Sequence, residues 1–438
     1  MSLLDLLPQA DGSVDPRLLL RASQPGRVRG IGLELWERVA ADPVHAGSTL
    51  RHGLRDARAL HSRERRFVAD MLYAMVRLHG WLHAAYGADP LVWWLGLTVA
   101  HGLGEAEASA ALQDAGKEPV ARWGAALGGA IEGLGADEAL AVAGSIPVAV
   151  ARELREAFGD DASRFLLASA ARAPIVLRAR PGRRASLTAS LRRQGVEAVP
   201  CRFAPDGVEV PTSTDLRRLT AQAGADFEVQ DEASQLIAAL VQAAPGLRVL
   251  DACAGAGGKT LALADAAGPR AVVAADVRGG ALKELARRAD RAGLRGIQTV
   301  RIEEGAPDDG LGLFDRVLVD APCAGTGVWR RHPELRWKLG ELDALRATQA
   351  AVLATAAGRV KPGGRLVYAT CSVLPSENEA QAAAFEAQHP DFVRVDAAGA
   401  VGEACVQGGA LRMAPHTHGT DGFYGVVWER RGPAVRVA

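Results

Sequence analysis

The stretch "LRVLDACAGAGGKTLALADAAGPRAVVAAD" (residues 247–276) determines the fold, because it reads as a strand, a glycine-rich turn, a helix and a second strand. Apolar residues fill the runs "LRVLD" (247–251) and "AVVAAD" (271–276), and each run ends in an aspartate. The segment between them has the length of a helical crossover between parallel strands. The stretch therefore predicts a βαβ unit with both acids at the carboxyl ends of its strands.

Four more apolar runs extend this pattern towards the C-terminus. They are "IQTVRI" (297–302), "FDRVLVD" (314–320), "RLVYATC" (365–371) and "FYGVVWE" (423–429). Strands that are apolar nearly throughout, separated by helix-length segments, indicate a parallel sheet covered on both faces. We therefore predict an α/β fold, with a Rossmann-like domain and a mostly parallel sheet, for residues 228–438.

The chain before this domain divides into two regions with different sequence patterns. Residues 1–140 read as helical, since Phe67, Met71 and Met75 recur at four-residue intervals and form an apolar stripe. Residues 141–227 contain short strand-like runs, "PIVLRAR" and "DGVEVP", with a helix-like segment between them. This pattern predicts an all-helical domain followed by a small α+β module.

Bulk composition excludes several classes of protein. The 438 residues carry 51 basic and 51 acidic side chains, so a polyanion would have to meet a local patch. Five cysteines without a CxxC pair argue against a disulfide framework or a zinc site. The start lacks a signal peptide, and "PLVWWLGLTVAHGLG" (90–104) is shorter than a membrane span. We expect a cytoplasmic protein with no membrane contact, no bound metal and a loop role for His416 and His418.

The glycine-rich turn "DACAGAGGKT" (251–260) is compatible with three interpretations. A P-loop would need glycine where Cys253 stands, and the dinucleotide fingerprint would need glycine in place of Thr260. A nucleoside-binding turn remains, with Asp276 at the next strand end to accept the ribose hydroxyls. A cryptic P-loop and a purely structural turn stay open as alternatives.

Two cysteines stand at predicted strand ends. Cys323 follows Asp320 in "DAPCAGTG", and Cys371 ends "LVYATC". A thiolate near an acid suits addition to an electron-poor ring, because a ring nitrogen can be protonated as the sulfur attacks. Cys201, Cys253 and Cys405 read instead as inert core residues.

Two basic clusters supply candidate RNA contacts. "WRRHPELRWK" (329–338) interleaves cations with tryptophans, which suits phosphates and displaced bases. "RARPGRRASLTASLRR" (178–193) is the second cluster, and a solvated helix face is the alternative for it. The candidate residues are Arg178, Arg180, Arg183, Arg184, Arg330 and Arg331.

Together these motifs resemble the Sun/NOL1/NOP2 family of RNA cytosine-5 methyltransferases. The matching stretches, in the order of the family, are "VQDEASQL" (229–236), "DACAGAGGKT", "DAPCAGTGVWRRHPELRW" (320–337), "YATCSVLPSENE" (368–379) and "TDGFYGVVW" (420–428). The resemblance covers roughly residues 145–430. The stretch "SRERRFVADMLYAMVRLHG" (62–80) resembles the NusB-like RNA-binding domain of a bacterial branch that acts on 16S ribosomal RNA.

The resemblance implies S-adenosylmethionine as cofactor and a role for each site residue. Cys371 would attack carbon 6 of cytosine, Cys323 would assist release, Asp320 would bind ring nitrogen 3 and Lys259 would orient that acid. The implied cofactor residues are Cys253, Ala254, Gly255, Ala256, Gly257, Gly258, Lys259, Asp276, Arg278, Glu303, Glu304 and Asp320.

The sequence departs from the family pattern at three places. Ala256 stands where proline is common, "EEGAP" (303–307) replaces the usual aspartate motif, and "LRAR" (177–180) replaces "LRVN". The expectation is a monomeric enzyme that methylates carbon 5 of a cytosine in ribosomal RNA, free or partly assembled. Transfer RNA as substrate, a non-catalytic RNA-binding assembly factor and a P-loop NTPase remain the alternatives.

Overall fold

The computed structural model of the protein describes residues 14–120, 122–123, 126, 129–223, 226–302 and 310–432. These residues divide into two compact units, one within 1–172 with 328–340 and the other within 173–327 with 341–438. The helices of the first unit continue to Ala170, and the predicted domain boundaries at residues 140 and 227 stay a prediction. The small module and the Rossmann-like domain, which were predicted as separate domains, lie in one unit.

The first unit is built of α-helices. In chain order they are α1 (Pro16–Ser23), α2 (Arg27–Ala41), α3 (Ala46–Asp56), α4 (Ser62–Tyr86), α5 (Pro90–Ala100), α6 (Glu105–Gln113), α7 (Ala136–Gly144), α8 (Val148–Phe158) and α9 (Ala162–Ala170). The predicted stripe of Phe67, Met71 and Met75 lies on α4 and is buried. None of the helices in the described part of the chain has the length and apolar content that a membrane crossing requires.

The segment 328–340 packs inside this helical unit. The Trp329 indole is fully buried, and the Arg336 guanidinium lies over its ring, 4.7 Å from the ring centre. Trp337 packs edge-on against Trp36 of α2, with ring centroids 6.0 Å apart. Trp329, Arg336 and Trp337 of "WRRHPELRWK" therefore pack within the helical unit, whereas Arg331 and Lys338 of the same stretch are at least partly exposed.

A buried carboxylate fixes the start of α4. Glu64 accepts a hydrogen bond from the His61 amide at 3.0 Å and others from the guanidinium groups of Arg27 at 2.9 Å and Arg21 at 3.2 Å. Burial alone would raise the pKa of Glu64, but the His61 amide and Arg27 outweigh it and lower the pKa. Glu64 thus ties α1 and α2 to the first turn of the long helix.

The second unit begins with the small α+β module. Its elements are β1 (Ile175–Ala179), α10 (Arg184–Arg193), β2 (Val199–Pro200), β3 (Gly207–Val210), α11 (Leu216–Ala223) and β4 (Phe227–Val229). The strands pair antiparallel in the order β2-β3-β1-β4. Leu187 and Leu191, four residues apart on α10, join Leu177 and Val208 of the sheet in one apolar cluster.

The Rossmann-like domain follows in the same unit. Its elements are α12 (Glu232–Leu240), β5 (Val249–Asp251), α13 (Gly258–Ala267), β6 (Val272–Asp276), α14 (Gly279–Arg291), β7 (Gln298–Arg301), β8 (Phe314–Asp320), α15 (Leu342–Ala357), β9 (Val360–Thr370), α16 (Glu379–Gln388), β10 (Phe392–Val395), α17 (Ala398–Val401), β11 (Val406–Gln407), β12 (Ala410–Met413), α18 (Pro415–His418) and β13 (Phe423–Arg430). Each strand that the apolar runs predicted is present.

The central strands are parallel and lie in the order β9-β8-β5-β6-β7. In β6, Val273 and Ala275 join one apolar cluster, whereas Ala274 packs with Leu282 and Leu285 of α14. Both faces of the parallel part are therefore covered, as strands that are apolar throughout require. The predicted Rossmann-like α/β fold is confirmed.

The C-terminal strands extend this sheet in the antiparallel direction. β13 pairs antiparallel with β9, and β12 and β10 pair antiparallel with β13. The sequence predicted a strand at 423–429 but carried no signal for its direction. The extension places the loop before β13 next to the loop that follows β9.

We expect the substitution Glu64→Gln to lower the free energy of unfolding by about 1–3 kcal/mol, because hydrogen bonds to a charged carboxylate are lost. The folded-state pKa of Glu64 is lowered, so this stability is present above the unfolded pKa and is lost as the pH falls through the folded pKa. Urea unfolding of the full chain, followed by circular dichroism at neutral and acid pH, measures both effects.

The exposed Glu37 of α2 provides the matched control, Glu37→Gln. The control should unfold like the wild type at both pH values. Equal unfolding of wild type and Glu64→Gln at neutral pH would contradict the role of the buried carboxylate.

Candidate active site

Four central strands lead to charged or nucleophilic side chains at one edge of the sheet. β5 ends at Asp251, β6 at Asp276 and β8 at Asp320, and Cys371 follows β9 directly. Because these strands are parallel neighbours, their carboxyl ends lie together, where open α/β sheets bind ligands. The structure thus brings the predicted residues to one edge.

The turn between β5 and α13 has a backbone that requires its glycines. Gly255 and Gly257 have φ angles of 52° and 87°, in the left-handed region that favours glycine. A Cβ on Gly257 would lie 2.6 Å from Cγ of Leu285. α13 begins at Gly258 without a side-chain cap, so its first amide groups can donate hydrogen bonds to a ligand. The predicted cofactor residues 253–258 all lie in this turn.

The carboxylate of Asp276 is buried next to the turn and is fully engaged. Its Oδ2 accepts a hydrogen bond from the Gly255 amide at 2.7 Å, and its Oδ1 accepts one from the Arg278 amide at 2.8 Å. The Arg278 guanidinium donates to both oxygens, at 3.1 and 3.2 Å. Burial would raise the pKa of Asp276, but these donors lower it. The group is therefore an ionised acceptor at neutral pH.

Lys259 and Asp320 form an ion pair below the edge of the sheet. Lys259 Nζ lies 2.5 Å from Oδ2 of Asp320 and 5.1 Å from the centre of the Phe423 ring. Burial acts to lower the pKa of Lys259, but the charge of Asp320 and, more weakly, the Cys371 sulfur raise it. The ammonium stays charged and stabilises negative charge on either group.

Asp251 lies deeper in the same cluster. It is buried, and the Thr260 hydroxyl donates to its Oδ2 at 2.7 Å. Burial raises the pKa of Asp251 to about 7, and the neighbouring Asp320 adds to this shift. Near neutral pH Asp251 is therefore a mixture of protonated and ionised forms, and it repels Asp320 less than a surface aspartate would.

The two predicted catalytic thiols are in contact. The sulfur atoms of Cys323, after β8, and Cys371, after β9, lie 3.4 Å apart. The contact with Cys371 and burial raise the pKa of Cys323 well above its usual value. Cys323 is therefore held as a thiol, whereas the Cys371 sulfur interacts with the Lys259 ammonium.

Hydrogen bonds fix the two cysteine loops against each other. The Gly327 amide donates to the Cys371 carbonyl at 2.9 Å. The hydroxyl groups of Thr326 and Ser372 lie 3.0 Å apart, and the Val373 amide donates to the Thr326 hydroxyl at 2.9 Å. Neither Thr326 nor Ser372 was singled out from the sequence, although both are next to motif residues.

The segment before β13 contacts these two loops through a pair of glycines, Gly327 and Gly422. The Gly422 amide donates to the Gly327 carbonyl at 2.8 Å, and a Cβ on Gly327 would lie 2.1 Å from the Gly422 oxygen. A Cβ on Gly422 would lie 2.7 Å from both Cα of Gly327 and Cγ1 of Val373. Backbones this close leave no room for a side chain, which explains Gly327 of "GTG" and Gly422 of "TDG".

Sequence reasoning missed the residues that hold the Cys323 loop. The buried Glu377 accepts hydrogen bonds from the Ala324 amide and the Gln349 side chain, both at 2.9 Å. Gln349 of α15 also donates to the Pro322 carbonyl at 2.9 Å. The available signal was the place of Glu377 in "YATCSVLPSENE", the stretch that carries Cys371.

Several arginines predicted to contact RNA are instead inside the protein. Arg178 is 5% exposed and pairs with Asp265 at 2.7 Å, and Arg180 pairs with the same carboxylate at 3.0 Å. Arg330 is also buried. Arg178 and Arg330 are thus buried and Arg180 is only partly exposed, and a contact of these three residues with RNA stays a prediction. The other candidates are at least partly exposed and also stay predictions, namely Arg183, Arg184 and Arg331.

Other predicted residues take no part in the described site. Glu303 and Glu304 lie outside the described residues. Burial raises the pKa of Cys201 and of Cys405, which fits inert thiols. In the described part of the chain, no cluster of side chains that could hold a metal ion is found, and His418 Nδ1 accepts the Ala414 amide at 3.1 Å.

Comparison with known sequences gives one family. The family described as "16S rRNA methyltransferase RsmB/F" matches residues 238–427. The "Ribosomal RNA small subunit methyltransferase B" of Pseudomonas syringae pv. tomato is 35% identical over 288 residues, which are 62% of this chain and 63% of the relative. The protein of that name from Xylella fastidiosa (strain Temecula1) is 36% identical over 281 residues, 63% of this chain and 64% of the relative. The chain thus spans a little less than two thirds of these relatives.

Solved structures share the fold. PH0851 is 24% identical, with a TM-score of 0.72 over 96% of this chain and 100% of that chain. NSun6 from Pyrococcus horikoshii with SFG is 18% identical, with a TM-score of 0.55 over 64% of this chain and 97% of that chain. These identities support the fold alone, whereas the sequence match supports the family. Residues 238–427 of the chain are thus similar in sequence to the family described as 16S rRNA methyltransferase RsmB/F.

Proposed function

We propose that the chain transfers a methyl group from S-adenosylmethionine to carbon 5 of a cytosine in 16S ribosomal RNA. The observation that carries this proposal is the 3.4 Å contact between the sulfur atoms of Cys323 and Cys371, next to the Lys259–Asp320 ion pair. Attack on a pyrimidine ring and later release from it need a nucleophile and a proton-transfer group on the same ring. Relatives named as small subunit methyltransferases support ribosomal RNA as the substrate class.

The turn and Asp276 fit the nucleoside part of S-adenosylmethionine. When bound, this cofactor supplies an electrophilic methyl group on sulfur. The amide groups at the start of α13 are uncapped, and Gly255 keeps Cβ atoms away from the ligand. The ionised Asp276 can accept both ribose hydroxyls once the exposed Arg278 guanidinium gives up its hydrogen bonds.

Lys259 and Asp320 serve the target base in this proposal. Lys259 holds one carboxylate oxygen of Asp320, whose side chain is 28% exposed, so the other oxygen remains available to ring nitrogen 3. With a proton on that oxygen, Asp320 donates a hydrogen bond to nitrogen 3, which draws electrons from the ring and favours attack at carbon 6. The lysine keeps the acid oriented and balances its charge.

The resemblance to RNA cytosine-5 methyltransferases assigns different roles to the two thiols. In this proposal the Cys371 sulfur, 3.4 Å from Cys323, gives up its proton and forms a bond to carbon 6 as nitrogen 3 gains a proton. Carbon 5 then becomes nucleophilic and accepts the methyl group. Solvent water then takes the carbon-5 proton, nitrogen 3 returns its proton to Asp320, and the sulfur–carbon bond breaks with its electron pair on the Cys371 sulfur. The Cys323 thiol assists this release by donating a hydrogen bond to the leaving sulfur.

The substitution Asp276→Ala should weaken the affinity for S-adenosylmethionine at least tenfold, about 1.4 kcal/mol, because hydrogen bonds to an ionised carboxylate are lost. Isothermal titration calorimetry without RNA measures the affinity. The exposed Asp290 of α14 gives the matched control, Asp290→Ala. An unchanged affinity of the Asp276 variant would refute its assignment to the ribose.

The substitutions of the two cysteines should differ in the adducts that they form. Cys323→Ala should attack the ring but fail in release, and thus accumulate protein joined to RNA. Cys371→Ala and the double variant should form no adduct and show no turnover, because the nucleophile is missing. Denaturing electrophoresis with and without ribonuclease detects the adduct. An adduct in Cys371→Ala that disappears in the double variant would mean that Cys323 attacks the ring and Cys371 assists release.

RNA delivery is assigned to the helical unit, and exposed arginines at the end of α3 and the start of α4 support this. Within the stretch 51–66, which is described throughout, the one exposed acid is Asp56, while Glu64 is buried and paired. A positively charged surface of this kind neutralises RNA phosphates and releases the counterions that were bound to them. The exposed arginines are Arg51, Arg55, Arg58, Arg63 and Arg66.

The triple variant Arg51→Ala, Arg58→Ala, Arg63→Ala should bind ribosomal RNA more weakly. The slope of log affinity against log salt should fall by about 2–3, roughly one for each phosphate that is no longer neutralised. The affinity for S-adenosylmethionine should not change. The control variant Arg152→Ala, Arg155→Ala removes arginines that already pair with Asp137. Wild-type RNA affinity and slope in the triple variant would exclude this surface.

A further inference from the structure

We propose that Arg288 of α14 is a positioning residue for the glycine-rich turn and connects its backbone to the small α+β module. The inference rests on the proposed function, since it concerns the turn assigned to S-adenosylmethionine. Arg288 acts through the conformation of the turn, and the reacting groups themselves are the thiols and the Lys259–Asp320 pair.

One guanidinium bridges the two parts of the second unit. Arg288 Nη1 donates a hydrogen bond to the Ala256 carbonyl at 2.8 Å. Its Nη2 and Nε donate to Oε2 of Glu228, at 2.9 and 3.3 Å. A planar guanidinium presents these donors in a fixed geometry, so the position of Glu228 on β4 sets the position of the Ala256 carbonyl.

The turn is held at three consecutive residues, and Arg288 holds the middle one. The Gly255 amide donates to Asp276 at 2.7 Å, and Gly257 packs against Leu285. Ala256 lies between two glycines and has little conformational restriction of its own. Leu285 and Arg288 are three residues apart and therefore on the same face of α14, so one helix face fixes two of the three residues.

The acid that anchors Arg288 is itself firmly held. Glu228 is 2% exposed and also pairs with Arg291 at 3.6 Å and with Arg180 at 3.8 Å. Arg180 continues the network to Asp265 of α13, at 3.0 Å. Glu228 of the small module is thus linked to α13 through Arg180 and to α14 through Arg288. A displacement of the small module would therefore shift the Ala256 carbonyl through Arg288.

Without Arg288 the cofactor would have to order the turn as it binds. That ordering costs conformational entropy, which lowers affinity without changing the groups that touch the ligand. Arg288→Ala should therefore weaken S-adenosylmethionine binding at least fivefold. The KM for this cofactor should rise while kcat at saturating cofactor stays within twofold of the wild type, because the reacting groups are unchanged.

Arg291 offers a matched control on the same helix. It pairs with the same carboxylate, Glu228, but its side chain is 43% exposed, and the described contacts with Ala256 come from Arg288. Arg291→Ala should bind S-adenosylmethionine within twofold of the wild type. Arg288→Lys should be intermediate, because one ammonium can pair with Glu228 but cannot also reach Ala256 with the same geometry.

The test is calorimetric titration of the full chain with S-adenosylmethionine, combined with hydrogen exchange at the amides of residues 256–258. Weaker binding and faster exchange in Arg288→Ala, with Arg291→Ala unchanged, are expected. If Arg288→Ala does not fold, Arg288→Lys decides, and wild-type affinity in that variant overturns the inference. Equal weakening by Arg291→Ala also overturns it. Failure of the wild type itself to bind would refute the proposed function instead.

Discussion

The close approach of two backbones, at Gly327 and Gly422, is the constraint that holds the thiol pair in place. Gly327 donates to the Cys371 carbonyl and accepts from Gly422, so one residue joins the loops after β8 and β9 to the segment before β13. A single Cβ would lie 2.1 Å from an oxygen and force these segments apart. The 3.4 Å contact of Cys323 with Cys371 therefore depends on residues that have no side chain.

Next to the thiol pair, the buried ammonium group of Lys259 interacts with the negatively charged groups of the site. Lys259 pairs with Asp320, and the charge of Asp320 and, more weakly, the Cys371 sulfur raise the pKa of the lysine. Asp251 carries only part of a charge near neutral pH, because burial raises its pKa. The two thiols are chemically identical, but the contact with Cys371 and burial raise the pKa of Cys323 well above its usual value.

Features that a local sequence pattern encodes could be predicted. Features that depend on partners distant in the sequence were missed. The strands and the acids Asp251, Asp276 and Asp320 follow from apolar runs with charged ends, and the roles of the thiols came from the family resemblance. Basic clusters look alike in sequence whether exposed or buried: the partner of Arg178 is Asp265, 87 residues away. The holding role of Glu377 likewise required the fold, because its partners lie on other segments.

Nucleoside analysis of the product decides whether the chain methylates carbon 5 of cytosine. Purified protein is incubated with 16S ribosomal RNA and S-adenosylmethionine that carries a labelled methyl group, and the RNA is then digested and separated by chromatography with mass detection. We expect label in 5-methylcytidine with the wild type and none with Cys371→Ala. Label in another nucleoside, or no label in RNA despite bound cofactor, would contradict the proposed chemistry.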